Sequence, residues 1–156
     1  MWTDGSRLDS GKVGAAVVWG ERTDWEGRPY YLGKNKEVYD AEIYVIYRAL
    51  KIIDQRKEDG RQYTIFSDSA SAVDRTRSDS TGHGQRQAMA THEVSERIVG
   101  RNSTVTIRWT PAHQGVEGNE TADSRAKAAA EGRPPGRPGI PTSDQPIAHD
   151  KKGDGG

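Results

Sequence analysis

The 156-residue chain has no cysteine, a single phenylalanine, and no excess charge of either sign, with 23 basic residues against 23 acidic ones. Without thiols, neither a disulfide framework nor a thiolate metal centre can be built. Balanced charge excludes a global basic field of the kind many nucleic-acid binders use, so any surface for a polyanion must be local. No apolar run approaches the roughly 18 residues a spanning helix needs. Nor does a basic segment followed by an apolar stretch open the chain, and the expectation is an intracellular protein with no membrane partner. Hydrophobic residues are also scarce, at 32% of the chain with a mean hydropathy of −0.91, so a core requires them to be concentrated. From Glu131 onward the only aliphatics are Ile140, Ile147 and Ala148, among five prolines and six glycines. One domain over residues 1–131 followed by a disordered Pro/Gly-rich tail over 132–156 is expected, with Arg133, Arg137, Lys151 and Lys152 as solvated linker charges.

The concentrated part carries clear periodicities. Val13 to Trp19 is a run of small and β-branched residues, the composition of a buried strand, and Arg28 to Leu32 is a second strand after the turn-like Glu26-Gly27. Asp40 can cap a helix whose apolar positions Ile43, Ile46, Tyr47, Leu50 and Ile53 form one stripe ending near Gly60. Tyr63 to Phe66 is a strand that turns through Ser67 to Val73 into a short helix. Gln85 to Gly100 is amphipathic, Val105 to Trp109 alternates as a half-buried strand, and Asn119 to Ala130 is an alanine-rich helix. The order is β, β, β, α, β, α, α, β, α, counting a strand stub before Asp4. That alternation predicts an α/β fold whose later strands run parallel under covering helices.

Four carboxylates fall at the predicted element ends. Asp4 stands where the first strand stops and Asp68 where the Tyr63–Phe66 strand stops; Glu42 lies in the first turn of one helix and Asp123 in the first turns of the last. Each has an ordinary reading. Asp-Gly is a common turn pair, Glu42 suits a helix dipole, Asp68-Ser69 suits a helix start, and Asp123 can pair with Lys127 four residues on. Together they form a set that a parallel layout could gather at one sheet edge. Bare acids in such a cluster repel one another, a conflict that a divalent cation removes. Oxygen donors without cysteine favour Mg²⁺ or Mn²⁺ over zinc, and a pair of such ions about 4 Å apart suits phosphodiester hydrolysis.

The spacing of whole segments is more specific. Thr3-Asp4-Gly5-Ser6, Asp40-Ala41-Glu42-Ile43-Tyr44 and Ile65-Phe66-Ser67-Asp68-Ser69 are followed by Arg108-Trp109-Thr110-Pro111-Ala112-His113-Gln114-Gly115 and then Gly118 to Asp123. In this order the chain resembles type 1 ribonuclease H over residues 1 to about 131, in the form attached to reverse transcriptases of fungal non-LTR retrotransposons. The resemblance implies a five-stranded mixed sheet with the first three strands antiparallel, flanked by helices, and hydrolysis of the RNA strand of RNA:DNA hybrids to 3'-hydroxyl and 5'-phosphate ends. It implies two Mg²⁺ ions, with Mn²⁺ as a substitute. Asp4 would be shared, Glu42 and Asp68 would complete one site, and Asp123 would hold the other. Glu42 would also accept a hydrogen bond from the RNA 2'-hydroxyl. His113 matches a mobile catalytic histidine, while Ser6, Gln85 and Glu120 match substrate-side positions. A reverse transcriptase domain in a longer parent chain is the implied partner beside the hybrid, and no small-molecule cofactor is expected.

Some positions depart from the pattern. Only Met1, Trp2 and Thr3 precede Asp4, so the first strand reads as truncated, and an upstream-extended chain is expected to melt higher. Val38 and Tyr39 stand where cellular relatives carry an Asn-Gln pair that reads the minor groove. Two other classes compete with the hydrolase. A decayed retroelement fragment that only binds nucleic acid would explain the short strand but not the full acid set. A transposase or integrase of related fold would lack the acid opening the first helix.

Overall fold

Alternation along one strand sets the layers. The structure, a computed structural model, describes residues 1–21, 23–78, 82 and 85–133. Among them β1 (Trp2–Arg7), β2 (Lys12–Glu21), β3 (Asp24–Lys34), β4 (Gln62–Ser67) and β5 (Thr104–Trp109) form one sheet in the order β3-β2-β1-β4-β5. β1 to β3 pair antiparallel, and β4 and β5 continue in parallel from the other side of β1. The α/β expectation with three leading antiparallel strands is therefore met. In β2, Val13, Ala15 and Val17 share a core with Val45, Ala49 and Ile53 of α1 (Val38–Arg56) and with Val94 and Ile98 of α3 (Gln85–Val99). The short α2 (Ala70–Arg77) packs on this side through Ala72, against Ile43 and Ile46. Each fully buried Ile or Leu stabilises by about 1.5–3 kcal/mol, and that concentration is how a chain so poor in apolar residues holds a core.

The alternate residues of β2 face α4 (Glu117–Ala130), whose buried alanines 122, 126, 129 and 130 present almost no side-chain bulk. Gly14 completes the approach, since a Cβ there would fall 2.3 Å from the Ala130 nitrogen and 2.5 Å from the Ala126 oxygen. With both faces covered, β2 needs the continuous small and β-branched run seen in its sequence.

Several boundaries differ from expectation. β1 does not stop at Asp4; it continues to Arg7, pairing with β2 throughout, so the aspartate is in mid-strand. Gly5 is accordingly not a turn residue. It lets α1 close on the sheet, because a Cβ would lie 3.0 Å from Ala41 Cβ and 3.2 Å from the Glu42 nitrogen. The first helix is capped by Glu37 rather than Asp40, with no side-chain hydrogen bond, and ends at Arg56 as Lys57 turns left-handed, not near Gly60. α4 begins two residues before Asn119, and Gly118 packs under the Trp2 ring. The tail falls, from residue 134 on, outside the described residues, as does His83. Among the described residues no helix is long and apolar enough to cross a membrane.

Candidate active site

Register brings the first two acids together. Thr3 of β1 lies opposite Ser67 of β4 in parallel pairing, so the next residues, Asp4 and Asp68, sit side by side at the level where β4 ends. Trp109, at the end of β5 opposite Ser67, donates from its indole Nε1 to the Asp68 carbonyl at 3.1 Å and holds the turn. Glu42 comes from the opening of α1, drawn in over Gly5, whose backbone N–H donates to its carboxylate. Oxygens of Asp4, Glu42 and Asp68 all lie within 4.8 Å of one another. Asp123 of α4 approaches from the other side, its carboxyl within hydrogen-bonding reach of Asp4. Asp4, Glu42 and Asp68 thus meet, Asp4 from the middle of the central strand, and Asp123 lies beside Asp4 outside that group.

Asp4 and Glu42 are each 4% exposed. Burial first, and then the charges of Glu42, Asp68 and Asp123, pushes Asp4 up to about 10. Burial, followed by the charge of Asp68, pushes Glu42 up to about 8, against the opposing hydrogen bonds from Gly5 and Asp4. Buried carboxylates are normally satisfied, yet Glu42 Oε2 is buried without a hydrogen-bond partner. Aligned oxygen donors, mutual repulsion and an orphaned carboxylate oxygen are what a hard divalent cation would resolve, so these residues fit one.

The pH dependence follows from the sign of these shifts. The folded chain without cation keeps protons on Asp4 and Glu42 to a higher pH than the unfolded chain does, so this stability is complete below about pH 4 and is lost as pH rises through the folded values of about 8 and 10. Thermal melts in EDTA should therefore show a falling midpoint from pH 6 to pH 9. A flat or rising profile would contradict the shared-proton cluster.

The other expected residues are more scattered. His113 is exposed in the β5–α4 loop with a left-handed backbone (φ 53°) and is not among the groups closing on the acids. Ser6 is buried in β1 two residues beyond Asp4, on the same strand face. Gln85 is the half-buried first residue of α3, and Glu120 is exposed one turn before Asp123. Three further residues shape the site. Trp109, the end of a strand expected to be half-buried, is 55% exposed and braces Asp68. Gly5 was hidden in an apparent turn, and Lys127 bonds Asp123 Oδ2 at 2.7 Å. The i,i+4 spacing signalled that ion pair, but only as an alternative to a metal-binding role. Beside α1 a cleft of about 320 Å³ opens between Tyr31, Lys36, Tyr44 and Gln87, and reaches Ala41 next to Glu42.

An all-oxygen cluster of buried acids beside the central strand of an α/β sheet marks the class of proteins suited to holding a hard divalent cation. The family model for RNase H matches residues 1–131, and the chain belongs to that family, making it a ribonuclease H hydrolase. Its fold is similar to that of RNase H1 from the halophilic archaeon Halobacterium salinarum, at 17% identity over 84% of this chain and 96% of that one, with a TM-score of 0.62. LC11-RNase H1, isolated from compost and solved in complex with an RNA/DNA hybrid, is similar at 17% identity over 84% and 95%, with a TM-score of 0.64. A foamy viral protease-reverse transcriptase, also in complex with an RNA/DNA hybrid, matches at 14% identity over 83% of this chain and 19% of its own, with a TM-score of 0.60. No curated protein matched the chain.

Proposed function

We propose that this protein hydrolyses the RNA strand of RNA:DNA hybrids endonucleolytically, leaving 3'-hydroxyl and 5'-phosphate ends, with Asp4, Glu42, Asp68 and Asp123 holding two Mg²⁺ ions or, in their place, Mn²⁺. The observation that carries the reading is the approach of Asp4, Glu42 and Asp68 oxygens to within 4.8 Å, two of the three acids being almost wholly buried. When bound, the ions supply charge stabilisation at the phosphodiester and ease the ionisation of water. Asp4, central in the sheet, orients the whole set. Glu42, braced by Gly5, is the acceptor by which a 2'-hydroxyl would mark the strand as RNA. His113, exposed on the Pro111–Gly115 loop, is suited to carrying a proton away from the leaving side.

Substrate contacts must be local, because the net charge is zero. The cleft beside Glu42 offers the Tyr31 and Tyr44 rings to sugars or bases and Lys36 to a phosphate. Ser6, Gln85 and Glu120 are assigned to the same substrate side. The similarity to part of a protease-reverse transcriptase supports a parent chain in which a polymerase supplies the hybrid.

Digestion of a labelled hybrid, beside duplex RNA and duplex DNA, tests the reading. Mg²⁺ is expected to permit cutting of the hybrid's RNA strand alone, and excess EDTA to stop it. Cutting that persists in EDTA, or that takes duplex DNA equally, would remove the mechanism. Binding of hybrid with no cutting would leave a nucleic-acid-binding module instead.

A further inference from the structure

The four acids are not equivalent. Asp4, Glu42 and Asp68 crowd together with no cation among the described side chains that closes on all three, whereas Asp123 already has one: Lys127 Nζ lies 2.7 Å from its Oδ2. Both come from α4, one turn apart, and Asp4 also acts on the ammonium electrostatically. Lys127 is 51% exposed and Asp123 25%. An ion pair this open holds weakly, and the long lysine stem can swing into water.

We propose that Lys127 is a resident counter-ion that occupies the Asp123 side of the centre and must be displaced before a second divalent cation is held there. The proposal rests on the metal-binding reading above. It divides the centre into a ready position at Asp4, Glu42 and Asp68 and a guarded one at Asp123. A lone cation would enter the first with no ion pair to break, although the Lys127 charge acts on Asp4. The second entry must break the lysine contact and meet its charge, so its affinity is set by the ion pair. Lys127 is then a tuning residue that touches no substrate and acts through Asp123.

Because open i,i+4 pairs contribute little, the effect should be modest, about three- to fivefold in affinity. Titrating the whole chain with Mn²⁺, and following free Mn²⁺ by its paramagnetic resonance signal, reads this without any turnover. Lys127→Met keeps the stem and removes the charge. It should tighten the weaker binding event by about three- to fivefold, or make a second event visible, while leaving the tighter one within about twofold. Lys127→Arg, which restores the cation, should behave as wild type. Circular dichroism melts show whether each variant is folded, as expected for a half-exposed position.

No change in the weaker event on removing Lys127 would overturn the proposal. Equal tightening of both events would overturn it too, since that is a general charge effect. If wild type binds no Mn²⁺ at all, the metal reading itself fails and this proposal falls with it. That result is distinct from a wild type with two events insensitive to Lys127.

Discussion

Asp4→Asn is expected to lower cleavage of the RNA strand by about 10³-fold or more, the scale seen when a preorganised electrostatic group is lost, while making the metal-free protein more stable. The amide has nearly the shape of the acid but cannot ionise. It needs no proton at the place where burial and Glu42, Asp68 and Asp123 all oppose charge, whereas the acid, pushed up to about 10, must take one up on folding. Sparing that proton uptake is worth about 1–2 kcal/mol, a rise of several degrees in melting temperature measured in EDTA near pH 8. Near pH 5, close to the value of an unfolded carboxyl, the proton uptake costs far less, so the gain should shrink toward zero. Equal gains at both pH values, or cleavage at the wild-type rate, would refute this account of the cluster.

Gly14→Ala has the largest expected effect on folding. The added Cβ would meet backbone at three points, 2.3 Å from the Ala130 nitrogen, 2.5 Å from the Ala126 oxygen and 2.9 Å from the Ala129 carbonyl carbon. No rotamer can relieve contacts between main chains, so α4 must back away from the sheet and lose the packing of its alanines. The cost should reach about 3 kcal/mol or more, a large share of the roughly 5–15 kcal/mol that holds a domain together. Gly100→Ala is the matched control, because its Cβ would find its nearest neighbours at 3.4 and 3.5 Å, ordinary contact. Denaturant melts should separate the two, and similar midpoints would show that α4 does not depend on this approach. Since α4 carries Asp123, whatever Gly14→Ala protein remains folded should also bind the second cation poorly.

These two positions show what could be read from the chain alone. Asp4 was recognisable because its neighbours Thr3, Gly5 and Ser6 recur in a spaced set of segments, yet its place was misjudged. Asp-Gly-Ser has the local chemistry of a turn, and local propensity gives way when a sheet buries the segment on both sides. Gly14 looked like one small residue among others in Val13–Trp19. Its importance comes from α4, more than a hundred residues later. Trp109 does end a strand, as its alternation predicts, but β5 is the sheet edge, where the ring stays exposed and still donates to Asp68.

The amino-acid order by itself determined the elements and the kind of chemistry available. Hydrophobic period is a local property, and a donor set of carboxylates without cysteine limits the cations whatever the fold. Only the tertiary structure decided which acids meet, how deeply they are buried and which already has a counter-ion. Those depend on strand register between Thr3 and Ser67 and on the close approaches of α1 over Gly5 and α4 over Gly14. Distances of a few ångströms between residues far apart in sequence follow from packing, and no local pattern encodes them.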